Sequence, residues 1–174
     1  MKKLFTLVIV LILAGCASPT TKIAGEVVSC TSIQSAATKD SIELDCLDGA
    51  SSTSINSIKG PAIINVWGSW CGPCKEEMPI LRSFWAKAAG KVDLIGVDVE
   101  EAQIADGRNF VLNNGITWPN YFDADGRSRG YFGMGVPVTW FISADGTVAY
   151  RHIGVLKNEI ELITLTSKYL GVKL

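Results

Sequence analysis

The period of apolar and polar positions changes several times along the chain, and each change marks an element. The opening stretch, MKKLFTLVIVLILAG, carries charge at Lys2 and Lys3 and is then apolar from Leu4 to Ala14 apart from Thr6. This is the layout of an export signal over residues 1–15, too short for the roughly 20 residues of a membrane-spanning helix. The small and polar ASPTTKIAGE that follows reads as a flexible tether, residues 16–28. From Ile42, IELDCLDG alternates loosely up to a turn at Asp48 and Gly49, which predicts a short strand and hairpin. The run AIINVWG, beginning at Ala62, suits a central strand buried on both faces. After Cys71 the period turns helical, with Met78, Leu81, Trp85 and Ala88 on one face and Lys75, Glu76, Arg82 and Lys87 elsewhere. That helix should stop near Gly90 and kink at Pro79.

VDLIGVDV, Val92 to Val99, predicts a second buried strand, and EEAQIADGRNFVLNNG a helix closed by Asn114 and Gly115. The stretch WPNYFDADGRSRGYFG is loop-rich with a short strand or helical turn inside it. VPVTWFISADGTVAYRHIG contains two alternating runs joined at SADG, a hairpin. KNEIELITLTSKYL closes the chain as a helix with Ile160, Ile163, Leu165 and Tyr169 near one face. Strand, helix, strand, helix implies an α/β fold with parallel strands. A length of 174 residues, 48% of them hydrophobic, suits one domain, here residues 29–174. The net charge of -1 becomes -3 once Lys2 and Lys3 leave with the signal, 14 basic against 17 acidic side chains. No basic face for nucleic acid is in view.

The chain has five cysteines. LAGC, ending at Cys16, resembles the lipobox of bacterial lipoproteins, whose cysteine is lipidated and becomes the new first residue. A diacylglyceryl group with a further chain would anchor the protein stably to a membrane, on its extracytoplasmic side. Four cysteines then remain, an even number in an exported protein. Cys71 and Cys74 are a local pair, which leaves Cys30 and Cys46. A structural disulfide between those two would stabilise by about 3 kcal/mol through loop closure.

GSWCGPCKEE, Gly68 to Glu77, is open to three chemistries: a redox dithiol, half of a metal site, or a structural disulfide. A cysteine at the mouth of a helix lies near unpaired backbone donors that favour a thiolate, and Cys71 holds that place. Cys74, one turn on, can resolve a mixed disulfide. Pro73 favours early helix geometry. Structural zinc wants a second close pair of ligands, and Cys30, Cys46 and the lone His152 do not make one. Copper(I) would also suit thiolates, although no methionine or histidine cluster supports it. A two-residue gap makes a poor staple, which favours the redox reading.

VWGSWCGPCKEEMPIL together with the later GVPVTWFISADG resembles the thioredoxin-like proteins of the TlpA, ResA and DsbE type, over about Ile42 to Leu170. The resemblance implies a thioredoxin fold: a central mixed sheet flanked by helices, preceded by an N-terminal β-hairpin. It implies a cis bond between Val136 and Pro137, in a loop packed beside the dithiol, with the Val136 backbone open to a substrate peptide. Trp70 matches the family's exposed active-site tryptophan; with Gly72, Pro73 and Val136 it would form the substrate-binding surface. Asn65 stands where cytoplasmic thioredoxins have a buried aspartate, and Glu77 matches a glutamate that replaces it in the membrane-tethered relatives. Such a glutamate could take the Cys74 proton if burial raises its pKa.

Trp67 reads as core and His152 as structural. The function implied is an extracytoplasmic thiol:disulfide oxidoreductase with catalytic residues Cys71, Cys74, Glu77 and Pro137 and no cofactor beyond its own dithiol. It would be a monomer that reduces disulfides of exported proteins, apocytochrome c among them, and is recharged by a CcdA-type membrane donor. An oxidase that inserts disulfides would use the same residues, and a thioredoxin-like module binding a metal or a protein would need no catalysis.

Overall fold

The computed structural model describes residues 23–36, 38–88, 90–133 and 135–174; the stretch read as an export signal and Cys16 lie outside them. In chain order the elements are β1 (Glu43–Cys46), β2 (Ser52–Ser54), a 3-10 turn (Ile55–Ser57), β3 (Ala62–Trp67), α1 (Gly72–Ala88), β4 (Asp93–Val99) and α2 (Ile104–Asn113). Then come β5 (Asn120–Asp123), α3 (Arg129–Phe132), β6 (Val138–Ile142), β7 (Val148–Ile153) and α4 (Glu159–Leu170). The strands form one mixed sheet in the order β2-β1-β5-β4-β3-β6-β7, which is the thioredoxin-like α/β fold.

β3 is the spine of the sheet, pairing parallel with β4 and antiparallel with β6. All six of its residues are buried, as its apolar run requires of a strand covered on both faces. Side chains alternate between two cores. Ile63 and Trp67 join Leu81 and Phe84 of α1, Phe110 and Val111 of α2, and Leu162 of α4. Ile64 and Val66 face the other way, toward Ile95, Val97, Phe132 and Trp140. The two parallel crossovers put α1 and α2 on the same face, as right-handed connections to successive neighbours must.

Three features depart from the sequence pattern. The segment 118–133 contains both the strand β5 and the helical turn α3. Helix α4 buries Leu162 and Thr166, while Ile160 is 75% exposed, because its packing face is centred two residues further on. In the stretch read as a tether, Gly25 N donates to Leu112 O at 2.9 Å and Glu26 N to Ile116 O at 2.8 Å, so the packed domain takes in these residues. A Cβ on Gly25 would lie 2.0 Å from the Val111 carbonyl oxygen, so this close approach needs glycine.

Helix α1 continues through Pro79, whose exposed side lets water reach the Lys75 carbonyl left without a donor. Cys30 and Cys46 form a disulfide with Cα atoms 5.9 Å apart, tying the N-terminal segment to β1.

Candidate active site

β3 ends at Trp67, and after four intervening residues the chain enters α1 at Gly72. Gly68 leaves room at this corner for the Trp70 ring, since a Cβ there would meet Trp70 Nε1 at 2.6 Å. The Trp70 indole folds back over the corner and donates to Val99 O at 3.2 Å, and the residue is 53% exposed. Trp67 points inward instead, stacked on Phe110 at 4.6 Å between centroids.

Cys71 stands immediately before the first residue of α1, at the helix end where backbone amides lack intrahelical partners. The Cys74 amide donates to Cys71 Sγ at 3.1 Å. The two cysteines are joined as a disulfide with Cα atoms 5.3 Å apart. Cys71 retains 4% exposure and Cys74 none, so of the two cysteines the first is nearer the surface. Gly72 and Pro73 are exposed between them.

The Val136–Pro137 peptide is cis, and so is Gly60–Pro61, which the sequence pattern did not signal. Val136 packs on the core that includes both cysteines and shares a narrow cleft with Val66, Trp70, Val99 and Phe132. At the rim of that cleft Glu100, held at φ 60°, pairs with Arg129 at 2.6 Å. Gly154 N donates to Pro137 O at 3.0 Å, which fastens the proline loop to the end of β7. His152 lies on β7 with Nε2 3.4 Å from Val155 O.

Glu77 follows Cys74 by one helical turn and therefore lies on the same buried face. Its carboxyl group is fully buried. Asn65 Nδ2 donates to Oε1 at 2.6 Å, and Leu156 N, two residues beyond Gly154, donates to Oε2 at 3.2 Å. Burial pushes the pKa up to about 7, moderated by these two donors, which favour the charged form. Asn65 Nδ2 also reaches Thr139 Oγ1 at 3.3 Å, while Asn65 Oδ1 is a buried acceptor without a donor among the described residues. An amide can serve Glu77 in both protonation states, donating to the carboxylate or, once rotated, accepting from the protonated acid. Asn65 thus occupies its position as a partner of Glu77. The sequence does not show this contact, which joins residues twelve apart.

Two further acids near the corner carried no sequence signal. Glu101 accepts from Ser69 N and, at 2.9 Å, from Ser69 Oγ, although 32 residues separate them. Asp98, at the end of β4, is fully buried. Among the described residues, no group of three or more His, Cys, Asp or Glu could hold a metal ion. No helix among them is long and apolar enough to cross a membrane. A broader hollow of about 760 Å³ lies away from the dithiol, between Ile23, the second half of α1 and Gly115. Its one charged group, Arg82, is taken by Asn114 O at 2.5 Å.

Comparison with known proteins gives this arrangement its relatives. The model of the AhpC/TSA family matches residues 35–151. The thiol-disulfide oxidoreductase ResA of Bacillus thuringiensis (strain Al Hakam) is 35% identical over 103 residues, covering 58% of this chain and 59% of that protein. The chain thus spans about three fifths of the length of that relative. The thioredoxin-like protein YneN of Bacillus subtilis is 30% identical over 122 residues, 68% of this chain and 71% of YneN. Among solved structures, a secreted Mycobacterium tuberculosis disulfide oxidoreductase homologous to E. coli DsbE superposes with a TM-score of 0.60 at 26% identity. The match covers 70% of this chain and 91% of that one.

Proposed function

The chain belongs to the AhpC/TSA family and is thioredoxin-like, and we propose that it is an extracytoplasmic thiol:disulfide oxidoreductase working through Cys71 and Cys74. One observation carries the reading: a cysteine at a helix mouth is joined to a fully buried one, and a buried carboxyl with a pKa of about 7 lies one turn beyond. In the reduced protein the Cys71 thiolate, favoured by the α1 amides, attacks a substrate disulfide. A mixed disulfide forms, and one substrate sulfur leaves as a thiolate and takes a proton from water. Ionised Glu77 then accepts the Cys74 proton, and the Cys74 thiolate attacks Cys71 Sγ. The second substrate thiolate leaves, and the protein is left as the Cys71–Cys74 disulfide. Two electrons have passed to the substrate.

Val136, beside the cis Pro137, and the exposed Trp70 form the surface on which the substrate strand lies, with Gly72 and Pro73 between the sulfurs. Pro137 offers no backbone N–H to compete for the sulfurs. Reduction is the direction we assign, with disulfides of exported proteins such as apocytochrome c as substrates and a CcdA-type membrane donor restoring the thiols. The protein acts as a monomer held to the extracytoplasmic side of the membrane by lipid on Cys16. Cys30–Cys46 is the structural staple. Equilibration with glutathione or dithiothreitol buffers tests the direction: a potential near about -270 mV is expected, and one near about -120 mV would make the protein an oxidase.

A further inference from the structure

Asp98 is the acid for which the exchange chemistry has no use. Its carboxyl group is fully buried at the end of β4, and neither oxygen has a hydrogen-bond donor among the described residues. α2 closes over it: a Cβ on Gly107 would lie 1.8 Å from Asp98 Oδ2, so only glycine admits the carboxyl there. Its sheet neighbours in register are Trp67 and Phe122, both without charge. The groups that face it are the Glu101 carboxyl, within side-chain hydrogen-bonding reach, and the negative charge of Asp106 on α2. Arg108, further along α2, donates its Nε to Leu47 O at 2.6 Å and supplies Asp98 with nothing.

Two neighbouring carboxyl groups, Asp98 fully buried and without a donor and Glu101 bound to Ser69, cannot both be charged at modest cost. One proton on Asp98 resolves this. Asp98 then donates to Glu101, and the Glu101 oxygens accept from Asp98 and from Ser69 N and Oγ. Ser69 lies two residues before Cys71, and Cys71 N in turn donates to Gly68 O at 3.0 Å.

We propose that Asp98 and Glu101 share a proton and act as a clasp on Ser69, positioning the corner that presents Cys71 for attack. This rests on the thiol:disulfide exchange reading above. Desolvation, followed by the Glu101 and Asp106 charges, raises the Asp98 pKa to about 9. The clasp is closed at neutral pH. Above that range a second negative charge drives Glu101, which keeps 7% exposure, away from Asp98 and off Ser69.

The test begins on the oxidised protein, which needs no substrate, so its outcome stands apart from whether the chain exchanges disulfides. Carbon-detected NMR should show the Asp98 carboxyl titrating with a midpoint near 9, with the Ser69 amide moving at the same midpoint. In Asp98→Asn the side-chain amide donates to Glu101 at every pH, and the Ser69 amide should keep its neutral-pH position. An Asp98 midpoint in the ordinary carboxylate range, or a Ser69 amide that ignores the titration, would overturn the clasp. Should Asp98→Asn fail to fold, the titration of the unsubstituted protein decides alone.

In the reduced protein, the rate of Cys71 attack on a small disulfide should fall by about threefold or more above the Asp98 midpoint, and the fall should be absent in Asp98→Asn. Coincident pH profiles would refute positioning. An intact Ser69 titration in a protein whose Cys71 never reacts would support the clasp and sink the exchange reading.

Discussion

Replacing Glu77 by glutamine should change how stability depends on pH, by an amount that follows from the burial of one carboxyl group. In the folded protein Glu77 has a pKa of about 7, against 4.5 for a glutamate in the unfolded chain. Below pH 4.5 it is protonated in both states and contributes nothing to the pH dependence. Between 4.5 and about 7 the unfolded chain has released its proton while the folded protein still holds it, so stability falls as pH rises. Above about 7 the full cost of a buried charge is present, and it no longer changes. At about 1.4 kcal/mol per unit of pKa, the gap corresponds to about 3 kcal/mol. Glutamine has no proton to release and escapes this loss, while its carbonyl accepts from Asn65 or Leu156 and its amide can donate to the free Asn65 Oδ1. Urea unfolding of the two oxidised proteins, compared at several values from pH 4 to 8.5, isolates the difference because Asp98 and the other acids are common to both. The stability of Glu77→Gln relative to the parent should rise by about 3 kcal/mol across that range. A flat difference would mean that Glu77 ionises as a solvated carboxylate does, and the assignment of proton acceptor would fail.

The same substitution should slow resolution of a mixed disulfide by about 10² while leaving first attack unchanged, since only Cys74 needs a base; equal slowing of both steps in stopped-flow would contradict this. In the parent the resolution rate should climb with pH through about 7 as Glu77 ionises. Replacing Cys30 and Cys46 together by alanine should cost about 3 kcal/mol in urea unfolding with no change in redox potential, and a shifted potential would tie that disulfide to the chemistry. Gly68→Ala should push the Trp70 ring off Val99 O, seen as a change in indole emission and a stability loss of about 1–3 kcal/mol; an unchanged spectrum would contradict the close contact.

What could be read in the sequence was whatever local period or spacing encodes. The switch from a continuous apolar run to helical spacing at Cys71 placed β3, the corner and α1, and the even cysteine count left Cys30 and Cys46 as candidates for the bond that the fold makes. The cis Val136–Pro137 bond came from resemblance, since periodicity has no signal for it, and Gly60–Pro61 went unseen. The contacts that tune the site were invisible because they join residues far apart in sequence. Glu77 looks like an ordinary first-turn helix acid until the fold sets it against Asn65 and Leu156. Glu100 and Glu101 open the stretch read as a helix, yet α2 begins only at Ile104 and the turn before it sends Glu101 to Ser69 and Glu100 to Arg129. At Gly25 and Glu26 the small polar composition suggested a tether, but backbone bonds to the end of α2 do not depend on composition. In α4 the sequence marks several apolar residues, and only the facing sheet decides that Leu162 is core and Ile160 is not.

The exchange mechanism itself is tested most directly by trapping. Cys74→Ser leaves Cys71 able to attack but removes the sulfur that releases the partner, so covalent complexes should accumulate with extracytoplasmic proteins and dissolve under dithiothreitol. With both cysteines changed to serine none should form. Complexes that persist through loss of Cys71, or a Cys74→Ser protein that captures nothing, would contradict thiolate attack by Cys71.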